Sequence, residues 1–396
     1  MLNDRYRPRA RRRAAATGAA LLTALLAVAG CGSDTADQEG AAVALEPAAP
    51  AQTLRGVCPD TVTIQMQWQP QSDQGGLFQL LGPGYRVDEE TKSVEGPLVV
   101  GGKDTGVRLQ LRAGGPAIGF QSVASRMYVD DSVTLGVVHG EQVIAASAAK
   151  SVVAVTPLLK YSPSILMWDP ASHPDWHSIA DIGRSDAPVV VSKEQIFPQW
   201  LVAKGLLKQS QIDTGYDGAP ARFVADPTIA QQGFASAEPY VYEHEARAWN
   251  KPVAYDLIKN VGFDTYASNV TVRADKIDGL TSCLEKLVPI IQQSGADFAA
   301  APADTNAKVV DIVSRTPAFN PYPAGQAEFA AKQLTELGLL ANEDDGSFGT
   351  YDLSRAQRNL DELRPILVAG GAAIPPALTA EEIFTNRFTD PKIGIR

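Results

Sequence analysis

Residues 62–76 read VTIQMQWQPQSDQGG, and this stretch decides the fold. Val62, Ile64 and Met66 alternate with Thr63, Gln65 and Gln67, the period of two that marks a strand. Pro70 has no N–H to give a ladder, so the strand ends near Trp68 and the chain turns out of the sheet. Ser72 or Asp73 stands where a short helix through Leu77, Phe78, Leu80 and Leu81 would be capped, and Gly82-Pro83-Gly84 stops it. Strand, loop and helix in succession form the repeating unit of an α/β sheet, whose ligands sit beyond the carboxyl ends of strands. Trp68 is placed at such an end. There it is either a stacking surface or a core residue beside a tight turn.

Upstream, Arg5, Arg7, Arg9 and Arg11 to Arg13 precede an apolar run over 14–29, the layout of an export signal. Val28-Ala29-Gly30-Cys31 then resembles the lipobox of bacterial lipoproteins. That resemblance implies cleavage before Cys31, a diacylglyceryl group on its sulfur, and residence on the extracytoplasmic face of the cell membrane. Residues 31–55 are rich in Ala, Gly, Asp, Glu and Pro without periodicity, and read as a flexible spacer. No other stretch approaches the roughly 20 apolar residues that cross a bilayer.

Loss of six arginines and one aspartate with the leader takes the formal charge from −10 to −15. So acidic a surface argues against nucleic acid and against a polybasic membrane patch. With Cys31 committed to lipid, Cys58 and Cys283 remain, either as one disulfide in an oxidising compartment or as two buried thiols. The length left after the spacer suits two lobes, because single cores rarely grow beyond about 250–300 residues.

Downstream, residues 86–106 read as a small surface hairpin, and Val107 to Leu111 alternate as a strand ending in Ala113-Gly114-Gly115-Pro116. Residues 118–128 suggest a helix and 133–138 a buried strand, followed by His139-Gly140-Glu141 and another helix. Further strands are expected over 152–159, 164–168, 189–191, 221–224, 253–258 and 267–272. Asp226-Pro227-Thr228 reads as the cap of a helix ending near Gly233. From Lys276 the chain is mostly helical, so the class is α/β with a helical C-terminal part.

The ordered set of strand-WxP-loop-helix, a strand into GGP, VVAVTPLLKYSP, EPY and DTYASNVTVRAD resembles the solute-binding proteins of ABC importers. The class is the one that handles thiamine pyrimidines, riboflavin, nitrate and sulfonates. The resemblance covers roughly residues 60–390 and implies a type II periplasmic-binding-protein fold, two α/β lobes joined by two crossover segments that close on a ligand. One lobe is expected from 56–158 and 254–396, the other from 159–253. Carried over by position, Trp68 and the loop through Asp73, Gln74 and Gly75 would form one wall of the cleft. Gly115, His139, Tyr161 and Ser162 would add groups from neighbouring strand ends, Glu238 and Tyr240 would reach across from the second lobe, and Tyr266 would sit near the return crossing. The hairpin over 86–106 is longer than the family's usual connection and is expected near the cleft rim.

Trp68, Tyr161, Tyr240 and Tyr266 would sandwich a flat heterocycle while Glu238 or Asp73 takes an exocyclic amine, which favours an aminopyrimidine- or flavin-like solute. The rival is a small oxyanion such as nitrate or an alkanesulfonate, held by Ser162, Gly115 and helix starts. The implied partners are an ABC permease, the solute and, through the anchor, a membrane; a monomer without cofactor is expected. A sensor lipoprotein without a transporter is a third reading. No G-x-S-x-G elbow or Ser/His/Asp set suggests an enzyme. The fungal pyrimidine synthases of this fold carry a Cys-rich motif that this sequence lacks. His173 and His177 have Pro174 between them, which makes a helical zinc pair there a poor expectation.

Overall fold

Two sheets hold the strands of residues 44–396, the part of the chain that the computed structural model describes. The leader over 1–30, Cys31 and the spacer up to 43 lie outside the described residues. The first sheet takes β1 (Thr61–Gln65), β2 (Arg86–Asp88), β3 (Ser93–Val100), β4 (Lys103–Arg112), β5 (Leu135–Val138) and β6 (Val152–Leu159). The second takes β7 (Ser164–Trp168), β8 (Val189–Val190), β9 (Ile212–Asp213), β10 (Ala230–Phe234) and β11 (Ala254–Leu257). The chain then returns to the first with β12 (Ala267–Arg273). The orders are β2-β3-β4-β1-β5-β12-β6 and β11-β7-β10-β8-β9.

Strand β1 is parallel to β4 and β5 on either side, which is why its Val62 and Ile64 are fully buried. β12 runs antiparallel to β5 and β6, because it re-enters the sheet from the other lobe. Two segments therefore connect the lobes, 160–163 between β6 and β7 and 258–266 between β11 and β12.

The helices of the two lobes are short: α1 (Gly75–Gln79), α2 (Val123–Val129), α3 (Gly140–Ala146), α4 (Ile179–Arg184), α5 (Phe197–Ala203), α6 (Ala221–Ala225) and α7 (Glu238–Tyr240). The C-terminal part supplies the long ones: α8 (Thr281–Ala300), α9 (Ala303–Ser314), α10 (Ala324–Glu336) and α11 (Leu353–Ala369). α8 lays Cys283, Leu284, Leu287, Val288 and Ile291 on the first sheet's core with Ile64 and Leu109, and Cys283 is disulfide-bonded to Cys58. Two further apolar clusters contain residues of both lobes: one brings Val138, Trp168, Trp200 and Leu360 together, the other Leu159, Phe223, Phe298 and Leu339.

Several expectations are corrected. Residues 86–106 are no small hairpin: β2, β3 and the start of β4 extend the first sheet at its edge, and none of them lines the cleft. The spacer does not run to 55, since Ala48 N and Leu54 N donate to Asp104 and Thr105 carbonyls along β4 and Leu54 is fully buried. β11 pairs with β7, so the second lobe extends to Leu257 rather than ending at 253. Residues 221–224 lie in a helix, not a strand, and residues 230–234, expected to be helical, form the central strand β10.

Candidate functional site

A cavity of about 780 Å³ lies between the two sheets, beyond the carboxyl ends of β1, β4 and β5 on one side and of β8, β9 and β10 on the other. Of the expected residues, Trp68, Gly115, His139 and Glu238 line it.

Trp68 follows β1 and rests on Gly115, which has φ +57° and whose added Cβ would lie 2.4 Å from Cε3 of the indole. Gly115 therefore backs the ring, and no side chain fits between. From the second lobe, Gly218 comes close enough that a Cβ there would touch Cζ2 of the same indole at 3.7 Å. The Phe120 ring stands 6.1 Å from Trp68, tilted by 52°.

His139 follows β5 and precedes α3 without capping it. Its Nδ1 accepts from Ser268 N at 3.3 Å, so the neutral ring carries its proton on Nε2. Burial lowers its pKa, which favours that neutral form. Ser268 Oγ in turn accepts from Gln67 Nε2 at 2.9 Å, tying the two lining residues together. Across the cleft, the Phe234 ring meets His139 edge to face at 6.5 Å.

Glu238 opens α7, which continues into a π-helical turn over Val241–Glu245, and Gly233 leaves room for its side chain. Its Oε1 accepts from Tyr216 Oη at 3.0 Å and its Oε2 from Phe234 N at 2.5 Å. Burial raises its pKa while these two donors oppose the rise. A carboxylate has about four acceptor sites, so two hydrogen bonds leave capacity for a ligand.

The other expected residues have different tasks. Asp73 sits beneath the lining; its Oδ1 is buried without a partner, and burial, with a smaller push from the Glu238 charge, raises its pKa to about 7. Gln74 is fully buried outside the lining. Gly75 faces the Phe298 ring, where a Cβ would clash at 2.3 Å, so the glycine admits α8 rather than a ligand. The helix start at Ser72 is also taken: Ser72 N donates to Tyr322 Oη at 3.0 Å and its Oγ to Asn306 Oδ1 at 2.8 Å.

Ser162 is spent on Ser164 in the first crossover. Tyr161, in the same crossover, lies under the Arg355 guanidinium, which also covers Tyr266 before β12. Tyr240 packs against Gly325 and Phe329 of α10. Of the four aromatic residues expected around a ligand, two thus sit on the crossovers under Arg355, one packs against α10, and Trp68 is the one that lines the cavity.

The lining contains residues that the sequence did not single out. Nine are glutamines, among them Gln67, Gln231 and Gln326, each with a buried Oε1 that has no partner. Gln232 Oε1 accepts from Ser192 N at 2.7 Å, which fixes its amide. Phe120, Tyr216, Phe234 and Tyr242 add aromatic surface. Among the described lining residues there is no arginine and one lysine, Lys150, against the carboxylates of Glu194, Asp217, Glu238 and Glu245. Polar residues repeated at strand ends are the signal that would have found Gln231 and Gln232.

No protein-family model and no curated protein matches the sequence. Solved structures do. The chain is similar to the periplasmic aliphatic sulphonate binding protein SsuA from Escherichia coli, with TM-score 0.50, 13% identity, and coverage of 82% of this chain and 92% of that one. It is also similar to the alkanesulfonate-binding protein SsuA from Xanthomonas axonopodis bound to MOPS, at TM-score 0.50, 12% identity, 83% of this chain and 98% of that one. The periplasmic nitrate-binding protein NrtA from Synechocystis matches at TM-score 0.50 and 11% identity over 83% of this chain and 87% of that one. The chain has the periplasmic-binding-protein fold.

Proposed function

We propose that the chain is the solute-binding component of an ABC importer, held on the extracytoplasmic face of the membrane by lipid on Cys31, with no catalytic role. The observation that carries this reading is a cavity built from both lobes, with Trp68 on one wall and Glu238 on the other. Polar donors and acceptors that converge on a concave, partly aromatic site suit capture of a small molecule.

The preferred solute is a flat heterocycle with N–H donors, aminopyrimidine- or flavin-like. Aromatic faces supply stacking area, and the carboxylates and free amide oxygens accept from exocyclic amines. A cavity of about 780 Å³ is also ample for a flavin-sized molecule. The structures similar in fold include an alkanesulfonate-binding protein and a nitrate-binding protein. One observation favours such an anion here: Lys150 lines the cleft, bonded to Ser125 Oγ at 2.9 Å and without a carboxylate among its described ion pairs. Four lining carboxylates weigh against it.

A thermal-shift screen with riboflavin, 4-amino-5-hydroxymethyl-2-methylpyrimidine, nitrate and ethanesulfonate tests the reading. A solute at a hundredfold excess over its dissociation constant adds about 2.7 kcal/mol of stability. A shift with a planar compound is expected. A shift only with the anions would reverse the preference.

A further inference from the structure

We propose that Phe120 contacts the solute, as the second plate of an aromatic corner whose first plate is Trp68, and that this corner selects a planar ring. The inference rests on the reading of the cleft as a solute site.

Two independent features meet in this residue. Its backbone has φ +57°, the left-handed region that bulky L-residues enter only against a steric penalty. The residue is 38% exposed, one of four large apolar residues in that state among the described residues. Lys92, Asn250 and Ser268 share the backbone conformation but not the apolar exposure, and Val57, Val129 and Val368 share the exposure but not the conformation. Of the three valines none lines the cleft, whereas Phe120 does. A glycine at this position would relieve the backbone penalty and the apolar exposure together. Strain kept at a cleft points to binding.

The local geometry ties the two plates together. Phe120 N donates to Gly115 O at 2.9 Å, closing the loop at the residue that backs the indole. Gly119, at φ +61°, is left-handed too, so two such residues in succession carry Phe120 to the cavity. With centroids 6.1 Å apart and planes at 52°, a flat group resting on one ring presents its edge to the other, an arrangement that aromatic quadrupoles favour. A compact oxyanion would leave both faces unused. Phe120 has no polar atom, so it discriminates by shape and apolar area alone.

The test uses the full chain with Phe120→Gly, Phe120→Ala and Trp68→Ala. Without solute, Phe120→Gly is expected to raise Tm by about 1–2 °C as the backbone penalty is relieved. A lower Tm would make the ring a structural element and overturn the proposal. In calorimetry with riboflavin and the aminopyrimidine, Phe120→Ala is expected to weaken the planar probe at least tenfold while leaving ethanesulfonate unchanged. Full affinity in Phe120→Ala with loss in Trp68→Ala would overturn this inference and leave the cleft reading standing. Full affinity in both variants would overturn both, and a wild-type chain that binds neither planar probe would end the claim of ring selection.

Discussion

The guanidinium carbon of Arg355 lies 3.8 Å from the centre of the Tyr266 ring. It is also 4.7 Å from the centre of Tyr161, so one side chain of α11 covers an aromatic residue on each of the two crossovers. Its Nη2 donates to Lys160 O at 3.1 Å and to Glu343 at 3.3 Å, and the side chain is 4% exposed. Loss of one partner from a buried charge pair costs about 3–5 kcal/mol. Lys160 still faces Glu343 at 3.6 Å, so Arg355→Met is expected to cost about 3 kcal/mol in urea unfolding. A loss below about 0.5 kcal/mol, the range of an inert surface change, would remove Arg355 from the hinge.

Tyr240 of the second lobe meets the first turn of α10 so closely that a Cβ on Gly325 would lie 2.3 Å from its hydroxyl. Gly325→Ala should therefore oppose this approach of the lobes and weaken solute binding at least tenfold in calorimetry. Adding Tyr240→Phe, which removes the clashing oxygen, should restore most of the affinity. No loss in Gly325→Ala would mean that solute binds without this contact.

The Cys58–Cys283 disulfide joins residues 225 positions apart. In the chain-entropy picture, closing so long a loop in the unfolded state stabilises the fold by roughly 5 kcal/mol, an upper figure. Paired Cys58→Ser and Cys283→Ser substitution should lower the urea midpoint without altering solute affinity, since neither residue lines the cleft. An unchanged midpoint would show that the unfolded chain is already compact.

Asp73 gives stability a pH dependence of known sign. Burial, aided by the Glu238 charge, raises its pKa from 3.8 to about 7, so between these values the folded chain holds a proton that the unfolded chain has released. Stability from this group is present below about pH 4 and is lost as pH rises towards 7. Asp73→Asn should flatten Tm between pH 5 and 8 and exceed the wild type at pH 8. Parallel wild-type and variant profiles would place the proton elsewhere.

Where local pattern and tertiary demand agree, the fold was legible. β1 forms where its alternation predicts a strand, and parallel neighbours on both sides bury Thr63 and Gln65 along with Val62 and Ile64. The periodicity misses β10 because Gln231 and Gln232 are polar yet buried, Gln231 Nε2 donating to Tyr242 Oη and Gln232 Oε1 accepting from Ser192 N, and a strand with polar residues on its inner positions loses its period. Phe223-Val224 has strand-forming residues but falls in a five-residue helix held by packing against Tyr242 and Trp249. Tyr161 and Tyr266 face the Arg355 guanidinium, and Tyr240 faces Gly325 and Phe329. An aromatic residue suits a cation or a glycine surface as well as a ligand, and sequence does not say which lies opposite.

Calorimetric titration of Trp68→Ala, with the compound that gives the largest thermal shift on the wild type, tests the central claim most directly. Affinity is expected to fall at least a hundredfold while the unfolding midpoint of the solute-free protein stays within about 1 °C, because Trp68 is only partly buried and faces the cleft. Undiminished affinity in a folded Trp68→Ala protein would contradict it.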